Sequence, residues 1–187
     1  MELPRLRESL AGTPVVKFGD YNYFVHPITD GIPLGRPEVL DEVLDGLAAL
    51  ADWSRVDKIV TAESMGFPLA SGLAMRVHKP YVFIRKRQYG LPGEVSLKKT
   101  TGYARTDMFI NNIHRGDRVA FVDDVVSTGG TLLAIVAALR RIGAEVAEVL
   151  IVFEKTRQRT RMEQELGIPI KTLLAVDVVD GKLVARS

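Results

Sequence analysis

Arg118–Val122 is a short run of apolar, β-branched and aromatic residues that follows Arg115-Gly116-Asp117, and it predicts a buried strand. The strand ends in Asp123-Asp124. Two β-branched residues follow, then Ser127-Thr128-Gly129-Gly130-Thr131, and the chain passes into "TLLAIVAALRRIGA". That last stretch predicts a helix closed by Gly143. A strand, a polar glycine turn and a helix in this order constrain the fold more than any other stretch of the chain. They call for an α/β sheet with its ligand site at the carboxyl ends of the strands. The turn suits an anion, because free backbone N–H groups and the helix dipole point at it. The two carboxylates suit hydroxyls or a metal instead. The stretch therefore asks for a ligand with a phosphate at one end and a diol nearby.

The remaining pattern agrees with an α/β fold. Strands are predicted at Lys58–Thr61, "PYVFIRK", "EVLIVFEK" and "KTLLAVDVV", and helices at residues 38–51, in "PLASGLAMRV" and at about Gln158–Leu166. Strands alternating with helices imply a mainly parallel, twisted sheet flanked by helices, with right-handed crossovers. The segment up to about Pro37 reads as irregular and aromatic-rich. Residues 87–106 read as a long exposed excursion, the kind of loop that is usually functional. With 187 residues, 47% of them hydrophobic, the chain can bury one substantial core, so one domain over 1–187 is expected.

Composition excludes several classes of function. A net charge of +2 with both signs interspersed is too small a bias to call for nucleic acid or a membrane surface. The chain has no cysteine, which removes disulfides and thiol chemistry. "MELPRLRESL" resembles no secretory signal, and no apolar run reaches spanning length, so a cytoplasmic protein is expected. The lysine of a Walker phosphate loop and the G-x-G-x-x-G of a dinucleotide site are both missing.

"FVDDVVSTGGT" resembles the signature for 5-phosphoribosyl-1-pyrophosphate in the type I phosphoribosyltransferases, and the resemblance extends over nearly the whole chain. It implies that Asp123 and Asp124 hold the ribose hydroxyls. Ser127, Thr128, Gly129, Gly130 and Thr131 would wrap the 5′-phosphate. "AESMGFPLASGLA" is similar to the pyrophosphate loop of the adenine and xanthine enzymes, which assigns Glu63, Ser64, Met65 and Gly66 to pyrophosphate and implies a cis peptide at Glu63–Ser64. Adenine enzymes often carry arginine where this chain has Met65. "VFIRKRQYGLPGE" looks like the start of their catalytic loop, with Arg85 and Lys86 meeting pyrophosphate, an arrangement that could span the interface of a homodimer. Read alone, each of these stretches is also an ordinary strand end or turn.

The base is addressed elsewhere. "VLIVFEK" ends in Lys155, which matches the Glu-Lys of 6-oxopurine enzymes. There the ammonium donates to the exocyclic oxygen, whereas adenine would oppose it with a donor. Solvent or Glu154 is the alternative partner. Backbone groups of Asp177 and Val178 would run along the base edge, and the Asp177 carboxylate could accept from a 2-amino group. Phe24 and Val25 match the segment that caps the base, with burial of Phe24 in the core as the equal alternative. His26 reads as a positioned hydrogen-bonder. Together, "YNYFVHPITDGIPL" and "RQYGLPGEV" most resemble archaeal-type hypoxanthine/guanine phosphoribosyltransferases with adenine-enzyme architecture. The resemblance implies a hood built from about residues 1–37 and 155–187, and Mg²⁺ bound through substrate oxygens. It leaves the proton acceptor open. The mammalian-type 6-oxopurine enzymes have aspartate where Ser127 stands, and the adenine enzymes have a loop glutamate where Gly102 stands. Asp124, Glu94 and ionisation of the purine itself remain. An adenine or xanthine enzyme is the nearest alternative. A donor-sensing regulator would need an N-terminal DNA-binding domain, for which the first ~37 residues are too short.

Overall fold

In the computed structural model, which describes residues 2–19, 21–101 and 104–186, the elements follow the alternation expected. They are α1 (Pro4–Glu8), β1 (Val15–Phe18), β2 (Tyr21–Phe24), α2 (Pro27–Asp30), α3 (Pro37–Leu50), β3 (Lys58–Ala62), α4 (Gly66–Val77), β4 (Tyr81–Ile84), β5 (Val95–Thr101), β6 (Ala104–Ile110), β7 (Arg118–Val126), α5 (Gly130–Ile142), β8 (Glu145–Glu154), α6 (Arg159–Leu166), β9 (Lys171–Val179) and β10 (Lys182–Ala185). Six strands form one sheet in the order β10-β9-β8-β7-β3-β4. Its pairings are parallel except for β10, which returns antiparallel on β9. Among the described residues, no helix is long and apolar enough to cross a membrane.

β7 lies inside this sheet and buries both of its faces, as parallel strands do. Val119 and Phe121 join one core with Ile135 and Leu139 of α5 and Met108 and Ile110 of β6. Val122 joins the opposite core with Leu44 and Leu47 of α3, Leu69 and Leu73 of α4, and Phe24 of β2. The strand is longer than its apolar run. Its ladder with β8 continues through Asp123↔Ile151, Val125↔Phe153 and Val126↔Glu154. The two aspartates are therefore fixed by strand pairing rather than carried on a turn. The α5 helix keeps Leu132, Ile135, Val136 and Leu139 on its buried face and ends at Gly143 with φ 91°, a left-handed position that glycine adopts without strain.

Two expectations need correction. The N-terminal segment is not irregular: α1 and α2 flank an antiparallel hairpin that pairs Phe18 with Tyr21 and Val15 with Phe24. Nor do residues 87–106 form one loop. From Val95 onward the chain is the hairpin β5–β6, paired from Val95↔Ile110 to Thr101↔Ala104. The physical reason is long-range: Leu97, Met108 and Ile110 are buried at 4%, 0% and 1% exposure under α5, and only the pairing makes that two-residue period visible. The irregular stretch shrinks to residues 86–94, after Arg85 has bridged to Phe109.

Candidate functional site

Gly129 is the N-cap of α5, at φ 80° and with no side-chain cap, so the first N–H groups of a 13-residue helix have no capping acceptor. The position is also crowded, so that a side chain there would displace Met162. A Cβ at 129 would lie 2.6 Å from Sδ of Met162 on α6. Ser127 and Gly130 are half-buried and Thr128 is exposed, so a ring of hydroxyls and N–H groups opens at the end of β7.

Asp124 lies just before that ring. Burial, the neighbouring Asp123 charge and a hydrogen bond to Asp123 together push its carboxyl well above the usual range. The two acids behave as one unit that holds a proton more tightly than a lone carboxylate would.

The second predicted loop packs against the first. The Glu63–Ser64 peptide is cis. Gly66 opens α4 two residues before the expected Pro68. A Cβ on Gly66 would stand 1.7 Å from Thr61 Oγ1 and 3.3 Å from Asp123 Oδ1. Thr61 Oγ1 is buried without a hydrogen-bond partner beneath this contact. Arg85 and Lys86 reach the same loop from β4. Oε2 of Glu63 accepts from Arg85 Nε at 3.0 Å and from the Lys86 backbone N–H at 3.0 Å. The Lys86 N–H, with Arg85 beside it, holds the Glu63 carboxyl below its ordinary value. Arg85 also lies 5.3 Å from the centroid of the Phe67 ring, which stacks on Phe83 at 4.0 Å. Met65 turns away from this group. Its Cε is 3.8 Å from the position of a Cβ on Gly31.

Lys155 is anchored to β7 by its backbone N–H, which donates to the Val126 carbonyl at 2.9 Å. Its ammonium meets the hairpin: it donates to the Asn22 carbonyl and lies 3.7 Å from the centroid of the Tyr21 ring. The β8–β9 ladder stops at Glu154↔Ala175, so Asp177 and Val178 extend beyond it on β9. The Asp177 carboxylate has protein partners of its own. It is ion-paired with Arg157 at 2.5 Å and with Arg186 at 3.6 Å.

Phe24 takes the core alternative. It is 4% exposed and packs edge-on against Phe153 at 5.6 Å. His26 is fully buried, and Nδ1 accepts from the Ile28 N–H at 3.1 Å, which leaves the ring proton on Nε2, 2.9 Å from Ser9 Oγ. Burial lowers its pKa to about 4. Glu94 accepts from Asn111 Nδ2 and the N–H groups of Tyr89 and Gly90, and these bonds lower its proton affinity. It shapes the Leu-Pro-Gly turn and is a poor proton acceptor. Gly102 lies outside the described residues.

Sequence reasoning missed Tyr21, Asn22, Tyr23 and Asp30. Tyr23 donates to Asp30 Oδ1 at 2.6 Å, and Thr29 donates to Oδ2 at 2.6 Å. Burial, the Asp30 carboxylate and the nearby Asp124 charge hold the Tyr23 proton far above the tyrosine range. The signal was present: "VVKF", Gly-Asp, "YNYF" is a two-residue hairpin pattern.

A mostly apolar cleft of about 660 Å³ is lined by Val25, His26, Ile28, Leu34, Met65 and Leu69 among others. None of residues 123–131 lines it. The chemistry belongs at the strand ends, where the carboxylates, cations and uncapped N–H groups converge.

Comparison with known proteins gives a consistent result. A family model described as "Phosphoribosyl transferase domain" matches residues 39–168. A hypoxanthine/guanine phosphoribosyltransferase of Methanocaldococcus infernus is 51% identical over 182 residues, covering 97% of this chain and 100% of that protein. One from Methanocaldococcus jannaschii is 45% identical, covering 96% and 98%. Among solved structures, adenine phosphoribosyltransferase of Thermoanaerobacter pseudethanolicus superposes with a TM-score of 0.74 at 22% identity, covering 91% of this chain and 99% of that one. That of Rhodothermus marinus gives a TM-score of 0.72 at 26% identity, covering 92% and 97%.

Proposed function

The chain belongs to the phosphoribosyl transferase domain family, and we propose that it is a purine-salvage enzyme. It moves the 5-phosphoribosyl group from 5-phosphoribosyl-1-pyrophosphate to hypoxanthine or guanine, giving IMP or GMP and pyrophosphate. The observation that carries the choice of base is Lys155. Its backbone is tied to the strand that leads into the phosphate loop, and its half-buried ammonium lies over Tyr21. A fixed cationic donor at that place matches a carbonyl oxygen and opposes an amino group.

The remaining roles follow from charge. Asp123 and Asp124 take the ribose hydroxyls. Ser127, Thr128, Gly129, Gly130 and Thr131 take the 5′-phosphate with N–H and hydroxyl donors. Ser64, Met65 and Gly66 present backbone to the pyrophosphate, and Arg85 and Lys86 neutralise it. Glu63 orients these two cations rather than touching the anion. Val25, Asp177 and Val178 offer backbone groups to the base. Residues 1–37 and 155–187 act as a hood over it, within one domain spanning 1–187. A homodimer in the cytoplasm belongs to the same reading. The homodimer is supported by the edge strand β4, whose Tyr81 is 47% exposed, and by Met75 of α4, which is 79% exposed.

Displacement at the ribose C1 builds positive charge there and negative charge on the leaving group, so electrostatic stabilisation does most of the work. Mg²⁺ supplies further neutralisation when it arrives with the donor. A pair of hard carboxylates fits an ion held mostly by substrate oxygens and water. Of the two carboxylates considered for the purine proton, Asp124 has its proton affinity raised and Glu94 has it lowered, which favours Asp124.

The test is a panel of hypoxanthine, guanine, xanthine and adenine, each with the ribosyl donor and Mg²⁺, read as nucleotide formed. Hypoxanthine and guanine should be used best. A preference for adenine would replace this reading with an adenine enzyme.

A further inference from the structure

Arg186 follows β10 and reaches back across the sheet edge. Its Nη2 lies 2.9 Å from Oε1 of Glu154, 2.9 Å from the Thr156 carbonyl and 3.4 Å from the Glu154 carbonyl. Its Nη1 lies 3.6 Å from Asp177 Oδ1, and its own backbone N–H donates to the Ala175 carbonyl at 2.8 Å. The residue between Glu154 and Thr156 is Lys155. One guanidinium nitrogen therefore contacts the carbonyls of the residues before and after the base-recognising lysine, and the same guanidinium also holds the neighbouring strand at Asp177. The Lys155 side chain leaves in another direction, toward Asn22 and Tyr21.

We propose that Arg186 is a positioning residue for base specificity, fixing Lys155 through the two carbonyls that flank it and the Asp177 carboxylate beside it. The proposal rests on the reading of Lys155 given above. Arginine suits the task because its planar fork can serve several acceptors at fixed angles, whereas an ammonium is a point charge. Flanking carbonyls matter because a lysine chain on an unanchored peptide would lose the orientation that makes its donor selective. A purely structural role would be to neutralise Glu154, which is buried at 8% exposure. Arg159 provides the comparison. It pairs with Glu154 at 3.2 Å, and among the described contacts it touches neither carbonyl beside Lys155.

The experiment compares Arg186→Gln, Arg159→Gln, Lys155→Ala and the Arg186→Gln/Lys155→Ala double variant. The readouts are the KM of each substrate, the hypoxanthine-to-adenine ratio of kcat/KM, and Tm. Arg186→Gln should lower kcat/KM for hypoxanthine by about fivefold or more and relax the ratio, with the donor KM changed less than about twofold. Arg159→Gln should lower Tm without moving the ratio. The double variant should be no worse than Lys155→Ala alone, since both act through one ammonium. Arg186→Lys, which keeps the charge but not the fork, should recover Tm more than the ratio. It carries the same readouts if Arg186→Gln does not fold. If Lys155→Ala shifts the ratio and neither Arg186 variant does, the positioning role is overturned. If Lys155→Ala shifts nothing, it is the reading of Lys155 that fails.

Discussion

Lys155 and Tyr21, 134 positions apart in the chain, meet with the ammonium 3.7 Å from the ring centroid. An ammonium against an aromatic face and a backbone carbonyl is already partly desolvated, so a substrate carbonyl replaces a protein partner rather than bulk water. Lys155→Met should therefore cost about 2 kcal/mol in transition-state binding for hypoxanthine and guanine. That is more than tenfold in kcat/KM. The donor KM should stay nearly constant. Equal losses for hypoxanthine and adenine would contradict a role in discriminating between them.

The coupled aspartates make opposite demands on activity and stability. Asp123→Asn with Asp124→Asn should abolish turnover while the fold persists. Asp124→Asn alone should raise the Tm of the ligand-free protein at pH 7.5. The sign comes from linkage: a carboxyl whose folded pKa exceeds its unfolded value of about 4 binds its proton better when folded. Its contribution is therefore fully favourable only below about pH 4 and is lost as pH rises. The Tm gap between variant and wild type should widen from pH 4 to pH 8. A gap that narrows over that range would remove the assignment of a shared proton.

His26 predicts a pH dependence on the acid side. Its folded pKa of about 4 lies below the ordinary 6.5, so the unfolded chain takes up the proton first on acidification. Stability should fall between pH 6.5 and pH 4, by up to about 3 kcal/mol at about 1.4 kcal/mol per pH unit. His26→Asn keeps a side-chain acceptor for the Ile28 N–H and removes the titration. Its denaturant midpoint should change less over this range than that of wild type. Parallel curves would show that other groups cause the acid loss.

What could be read from the sequence was what lies close along it. Asp123 to Thr131 form one local unit, strand to turn to helix, so the α/β fold class and a site suited to a phosphate and a diol could be read from spacing, while the ribosyl donor came from family resemblance. The Glu63–Gly66 loop and the Arg85-Lys86 pair could each be read, but their meeting through the Glu63 carboxylate could not. Contacts between distant segments were out of reach. Leu97 and Lys98 show no helical or extended period until β6 lies beside β5, so the hairpin passed for a loop. Tyr21 and Asn22 gain meaning only where Lys155 arrives, and Arg186 only where it closes on Glu154 and Thr156. Phe24 was ambiguous for a similar reason: an aromatic ring packs equally well on a purine or on Phe153, and only the fold decides.

Gly66 stands with its α-carbon against Thr61 and Asp123, and the space a methyl would need is already filled by the threonine hydroxyl. The consequence concerns what selection can explore. Position 66 has no room for a side chain unless Thr61 shifts, so the Glu63–Gly66 loop can diversify more freely around it than at it. Met65 is the open position beside it, with a side chain that points into the apolar cleft near Gly31 rather than into the chemistry. A library meant to retune this loop should hold 66 constant and vary 65, because inheritance at these neighbouring sites is governed by opposite rules.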